Sequence, residues 1–205
     1  MNLPNKLTLS RILLVPVFMI FILPIPDWIV NSEYLRFMHF QLVSFNNFIL
    51  GPGKYIAAGI FIVASLTDGV DGYIARKTKQ VTKMGKFLDP IADKLLVTAA
   101  LIVLLQNGKL NGWAAMFIIG REFMVTGLRL VAAGEGVVIA ASNWGKIKTA
   151  TTMVAIVLSL LENFPLSMIT DFPFDSVAMF IAVIVTIYSG YDYIAKNSKV
   201  LDYGK

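Results

Sequence analysis

The chain has 205 residues, 57% of them hydrophobic and 15% charged, with a mean hydropathy of +0.71 and a formal net charge of +5. Soluble domains carry about 25% charged residues, so this balance points to lipid as the solvent, and the basic surplus then suits anionic headgroups rather than nucleic acid. Cysteine is absent and His39 is the single histidine, which excludes disulfides and thiol nucleophiles and leaves oxygen as the donor for any metal, a hard cation such as Mg²⁺ or Mn²⁺.

A helix needs about 20 largely apolar residues to cross a hydrocarbon core. Six such segments follow one another, at 7–29, 54–75, 87–106, 113–133, 147–161 and 174–195. A short amphipathic stretch opens the chain, and no removable signal peptide is expected, because no small-residue cleavage site follows the first apolar run. The connections Asn107 to Gly112 and Asn163-Phe-Pro165 have turn chemistry. With the N-terminus inside, the outer side holds Arg36, Lys54 and Lys109 alone, while Lys77, Lys79, Lys83, Lys86, Lys196, Lys199 and Lys205 all lie inside. The positive-inside rule therefore places both termini in the cytoplasm. Trp28, Trp113 and Trp144 fall near span ends, as interfacial anchors do. The expected fold is all-α: a polytopic membrane bundle of six transmembrane helices with a short N-terminal amphipathic segment, forming one domain over residues 1–205.

The second span carries Asp68 and Asp71, and the third opens with Asp89 and Asp93. A carboxylate inside a span costs about 2.5–3.5 kcal/mol on insertion scales, so four together need compensation. The spacings i,i+3 and i,i+4 put each pair on one helix face. Span two descends and span three climbs back. At 1.5 Å per residue, Asp68 lies ~12 Å before Arg76 and Asp93 ~12 Å past Gly85, so all four carboxylates can sit at similar depth near the cytoplasmic boundary. Two divalent cations ~3.5–4 Å apart would neutralise them and supply the charge clamp of phosphoryl chemistry. Gly69 and Gly72 offer bare backbone beside the acids, and Arg76 follows one turn later with a guanidinium suited to phosphate.

The stretch Asp68-x2-Asp71-Gly72-x2-Ala75-Arg76-x8-Gly85-x3-Asp89-x3-Asp93 resembles the signature of the CDP-alcohol phosphotransferase family at each of its fixed positions. The resemblance implies that Asp68, Asp71 and Asp89 are metal ligands, and that Asp93 is a further ligand, the general base, or both. It also implies that Gly72, Ala75, Arg76 and Gly85 line the site for the cytidine diphosphate moiety. Pro4-Asn5-x2-Thr8-x2-Arg11 is similar to the start of family members that use CDP-diacylglycerol, where Asn5 and Thr8 help hold the nucleotide or its metal.

Span four contains Gly120-Arg121-Glu122-Phe123-x2-Thr126-Gly127-x-Arg129, and span five opens with Gly145-Lys146-x-Lys148-Thr149. Arg121 falls near mid-span, where a charge must pair or face water, and Arg129 follows about two turns later. Arg121, Arg129, Lys146 and Lys148 would together suit an acceptor that carries its own phosphate. Arg121 and Glu122 could instead be a buried structural pair. This stretch resembles the phosphatidylglycerophosphate synthase branch of the family, whose acceptor is sn-glycerol 3-phosphate. The implied reaction moves a phosphatidyl group from CDP-diacylglycerol to that acceptor, at an inner-membrane site facing the cytoplasm and in a homodimer. The same chemistry on inositol phosphate or phosphatidylglycerol is the nearest alternative. A divalent-cation transporter is the alternative from another class, although the acids lie at one end of their spans rather than at the midplane and show no repeat.

Overall fold

The computed structural model describes residues 3–78, 83–134, 136–137, 139–140 and 142–197; within its helices, the side chains at 3–7, 68–78, 83–87, 89–90 and 93 lie outside the description. The helices are α1 (Leu3–Ile20), α2 (Asp27–Val30), α3 (His39–Phe48), α4 (Lys54–Thr78), α5 (Lys83–Gln106), α6 (Gly112–Gly134), α7 (Asn143–Leu160) and α8 (Phe174–Asn197). Tighter 3₁₀ turns occupy Glu33–Met38 and Leu166–Met168, and a wider π turn occupies Ile49–Gly53. No strand occurs among the described residues. An all-helical chain is what a bilayer demands, because a helix satisfies every internal N–H and C=O within its own segment.

Five of the six apolar segments match α4 to α8 to within a few residues. The first does not. Its helix already starts at Leu3, so the amphipathic stretch and the first apolar run share one helix, and that helix stops at Ile20 rather than reaching residue 29. Pro24 and Pro26 account for the stop, since a residue preceding proline is pushed out of the helical region. The stretch between the first two apolar segments is also helical. Helical turns run without interruption from Glu33 to Thr78. By length and composition, two stretches among the described residues suffice to cross a bilayer, Glu33–Thr67 and Phe174–Asn197, with shorter apolar helices at Thr8–Ile20 and Lys94–Gln106. α6 and α7 fall short of that measure because they carry Arg121, Glu122, Arg129, Lys146 and Lys148.

The chain divides into two compact units, 1–103 and 104–205. In the first, α1 packs on α4, with Phe18 and Phe61 fully buried and their rings 6.1 Å apart. Small residues on α4 (Ala57, Ala58 and Ala64) are buried along the same helix. Behind this packing, the Asn46 side chain closes a two-way clasp on the backbone of Ile25, accepting from its N–H at 2.8 Å and donating to its carbonyl at 2.9 Å. Gly53 completes the junction: a Cβ there would stand 2.8 Å from the Phe21 carbonyl oxygen and 3.2 Å from that of Phe48. Backbone atoms cannot yield cheaply, so Gly53→Ala is expected to destabilise by about 1–3 kcal/mol, read as a lowered unfolding midpoint in detergent. Trp28, Tyr34, Phe37 and Phe40 stand exposed along the segment between α1 and α4.

In the second unit, α7 packs most extensively on α8, and α6 packs on α8 as well. Ser142 caps α7 by accepting from the Gly145 N–H at 3.0 Å, an arrangement worth about 1 kcal/mol. α7 ends where Glu162 and Asn163 turn left-handed, with φ of 52° and 63°. Asn163 then reaches the start of α8, donating to Asp175 Oδ1 at 2.8 Å and accepting from the Asp175 N–H at 2.7 Å. Asp175 in this first turn also opposes the helix dipole favourably. Val125, Leu128 and Ala132 of α6 enclose Tyr193 of α8. The opposite face of α8, with Phe180, Ile184, Ile187 and Tyr191, is apolar and exposed, as lipid contact requires.

Candidate active site

Two groups of chemically active residues emerge, one in each unit. In the first unit, Asp68, Asp71, Gly72, Ala75 and Arg76 fall on α4, and Gly85, Asp89 and Asp93 fall on α5. Their side chains, and that of Asn5, lie outside the described residues. On helical backbone the i,i+3 and i,i+4 spacings keep each acid pair on one face. Thr8 and Arg11 of α1 are described, and both are buried, at 2% and 3% exposure. Their spacing of three residues places them one above the other on a single face of α1.

The second group is built by α6, α7 and α8. Glu122 is its hinge. Its Oε1 accepts from Arg121 Nη1 at 3.1 Å and also pairs with Lys148 Nζ. Arg121 and Lys148 are both more than nine-tenths buried. From α8, Ser189 Oγ accepts from Arg121 Nη2 at 2.8 Å. The Arg121 Nε–H is buried and has no hydrogen-bond partner among the described residues. Among the described residues the cluster joins two cations to one carboxylate in a setting of low polarity, with a guanidinium donor unspent. Such a cluster costs several kcal/mol of desolvation per ion. An oxyanion would satisfy the unspent Nε–H of Arg121.

Arg129 lies two turns further along α6. Its Nε donates to Tyr193 Oη at 2.9 Å, and its guanidinium carbon stands 5.5 Å from the Tyr193 ring centroid. Of the four cations singled out in the sequence, Arg121 and Lys148 come together through Glu122. Arg129 is held one layer away by Tyr193. Lys146 is exposed, because two residues along a helix is a rotation of about 200°, so Lys146 and Lys148 point to different sides. Sequence reasoning missed Ser189 and Tyr193. Their signal was present: two polar side chains spaced i,i+4 on one face of an otherwise apolar span.

Comparison with known proteins is decisive for the family. Residues 1–188 match the CDP-alcohol phosphatidyltransferase family. The chain belongs to that family. As a CDP-alcohol phosphatidyltransferase it is similar along nearly its whole length to curated relatives. It is 47% identical over 203 residues to the CDP-diacylglycerol–glycerol-3-phosphate 3-phosphatidyltransferase of Bacillus subtilis, covering 98% of this chain and 97% of the relative. Proteins of the same name from Rickettsia bellii and Haemophilus influenzae are each 35% identical, over 198 and 208 residues. These matches cover 97% and 96% of this chain and 96% and 95% of the relatives. The family match runs through both compact units, so the carboxylate helices and the cation cluster both belong to the CDP-alcohol phosphatidyltransferase sequence. With its apolar helices, this CDP-alcohol phosphatidyltransferase is a membrane protein.

Proposed function

We propose that this chain transfers a phosphatidyl group from CDP-diacylglycerol to sn-glycerol 3-phosphate, giving phosphatidylglycerol phosphate and CMP. The observation that carries the reading is the end-to-end similarity to the Bacillus subtilis protein of that name. The buried Arg121–Glu122–Lys148 cluster supports the choice of acceptor, since the unspent Nε–H of its guanidinium suits a phosphate monoester.

The donor set on α4 and α5 fits a hard divalent cation: four carboxylates on helical backbone, in a chain without cysteine and with its one histidine far along the sequence at position 39. Asp68, Asp71, Asp89 and Asp93 would hold two Mg²⁺ or Mn²⁺ ions. When bound, these offset negative charge on the phosphoryl oxygens and polarise the attacking hydroxyl. The residues of the chain do the rest. Asp93 accepts the proton of the acceptor's C1 hydroxyl as the new O–P bond forms at the phosphorus that bears diacylglycerol. The P–O bond to CMP breaks, and Arg76 offsets the charge on the departing nucleotide. Asn5, Thr8, Gly72, Ala75 and Gly85 seat the cytidine diphosphate moiety. Arg121, Arg129 and Lys148 hold the acceptor's phosphate, and Lys146, expected from the sequence to join them, stands instead on the exposed side of α7. A carboxylate is a weak base for an alcohol, so Asp93 acts late, when charge has developed on the oxygen.

The same reading takes α1, α4, α5, α6, α7 and α8 as six membrane spans with both termini in the cytoplasm, and both units as one catalytic domain over 1–205. The protein works as a homodimer in the cell's inner membrane, its site open to the cytoplasm and the acyl chains of the donor remaining in lipid. Purified protein supplied with CDP-diacylglycerol and Mg²⁺ is expected to release CMP with glycerol 3-phosphate. It should release none with inositol 1-phosphate, serine or phosphatidylglycerol, and chelation should stop turnover until Mg²⁺ or Mn²⁺ is returned. Turnover with inositol 1-phosphate alone would overturn the acceptor, and undiminished turnover in excess chelator would overturn the metal.

A further inference from the structure

We propose that the inward face of α8, through Ser189 and Tyr193, positions the two guanidiniums of α6 and so sets the preference for an acceptor bearing a phosphate monoester. This inference rests on the acceptor reading above. An arginine side chain carries about 2 kcal/mol of rotamer entropy, and a binding site gains affinity when that freedom is removed before the ligand arrives. Neither guanidinium is left to find its own orientation here. Arg121 is fixed from two sides, by Glu122 at Nη1 and by Ser189 at Nη2. Gly190 lets the arginine stem lie against α8, because a Cβ at that position would stand 3.2 Å from Arg121 Cγ. Its Nε–H stays unspent.

Tyr193 does the same for Arg129 with both of its surfaces, the hydroxyl oxygen accepting from Nε and the ring facing the cation. Only 1% exposed and packed by Val125, Leu128 and Ala132, the tyrosine is itself immobile. The two anchors stand ~6 Å apart along α8, whereas Arg121 and Arg129 are ~12 Å apart along α6. The anchors on α8 are thus more closely spaced than the arginines they hold on α6. Neither Ser189 nor Tyr193 needs to touch the substrate; they are positioning residues.

The test uses the full-length protein in detergent with Ser189→Ala and Tyr193→Phe, each of which deletes one oxygen and leaves the packing in place. Each variant is expected to raise KM for glycerol 3-phosphate about tenfold, with kcat and KM for CDP-diacylglycerol within about twofold of the parent. Competitive inhibition by inorganic phosphate, a probe of the anion site alone, should weaken by the same factor. A merely structural role would instead lower the unfolding midpoint and move both substrates' constants together, and that result overturns the inference, as does an unchanged KM for glycerol 3-phosphate in both variants. In either case glycerol 3-phosphate turnover by the parent leaves the proposed reaction standing. A parent protein that does not use glycerol 3-phosphate takes down the acceptor reading and this inference with it.

Discussion

Asp93→Asn is expected to leave the protein folded and to lower phosphatidyl transfer by about 10²–10⁴-fold. Asparagine matches the shape of aspartate and keeps α5 helical, but it cannot take a proton or carry charge. The same variant separates the two roles open to Asp93. As a base alone, it would give a slow enzyme with an unchanged Mg²⁺ requirement. As a ligand as well, it would raise the Mg²⁺ concentration needed for half-maximal rate. CMP release across a Mg²⁺ titration, alongside circular dichroism of the helices, reads both. Retention of half the parent rate would remove Asp93 from the chemistry.

The second large effect concerns stability. Glu122→Ala leaves Arg121 and Lys148 buried together without their shared carboxylate. Breaking a fully buried pair in this way costs about 3–5 kcal/mol. The Glu122 side chain keeps 22% exposure, so solvent screening lowers the expectation to about 2–3 kcal/mol. Glu122→Gln, which keeps an acceptor oxygen, should cost less. The combined change Arg121→Met, Glu122→Leu, Lys148→Met removes every charge at once and is expected to recover most of the stability, while losing use of glycerol 3-phosphate. Unfolding in detergent, paired with CMP release, distinguishes a cluster kept for function from one kept for the fold. If the triple variant were as active as the parent, the cluster would have no part in acceptor binding.

What the sequence made legible follows from the solvent. A bilayer imposes long apolar runs, so α4 to α8 could be located from hydropathy, and the four acids stood out because a membrane interior makes them costly. The combination of Arg121 with Lys148 was also within reach, as both are cations in apolar surroundings. Other features depend on contacts that no local pattern carries. Ser189 meets Arg121 across 68 positions of chain, and neither residue announces the other. That Glu122 is what joins Lys148 to Arg121 is visible only in the folded chain. The helical segment ahead of α4 was hidden by Gly51-Pro52-Gly53, a run that ordinarily breaks helices. Here the wider turn Ile49–Gly53 absorbs the proline and the helix continues through it.

That continuity has a consequence for how the family's chains can vary. Surface connections normally tolerate added or lost residues, since slack chain takes up the difference. Between Asn46, clasped to Ile25, and the acids of α4 there is no slack. One residue gained or lost anywhere along that run would rotate Asp68 and Asp71 by about 100° relative to the clasp. The segment ahead of α4 thus behaves as an indexing shaft: its length sets the angular phase of the helical backbone that carries the acids.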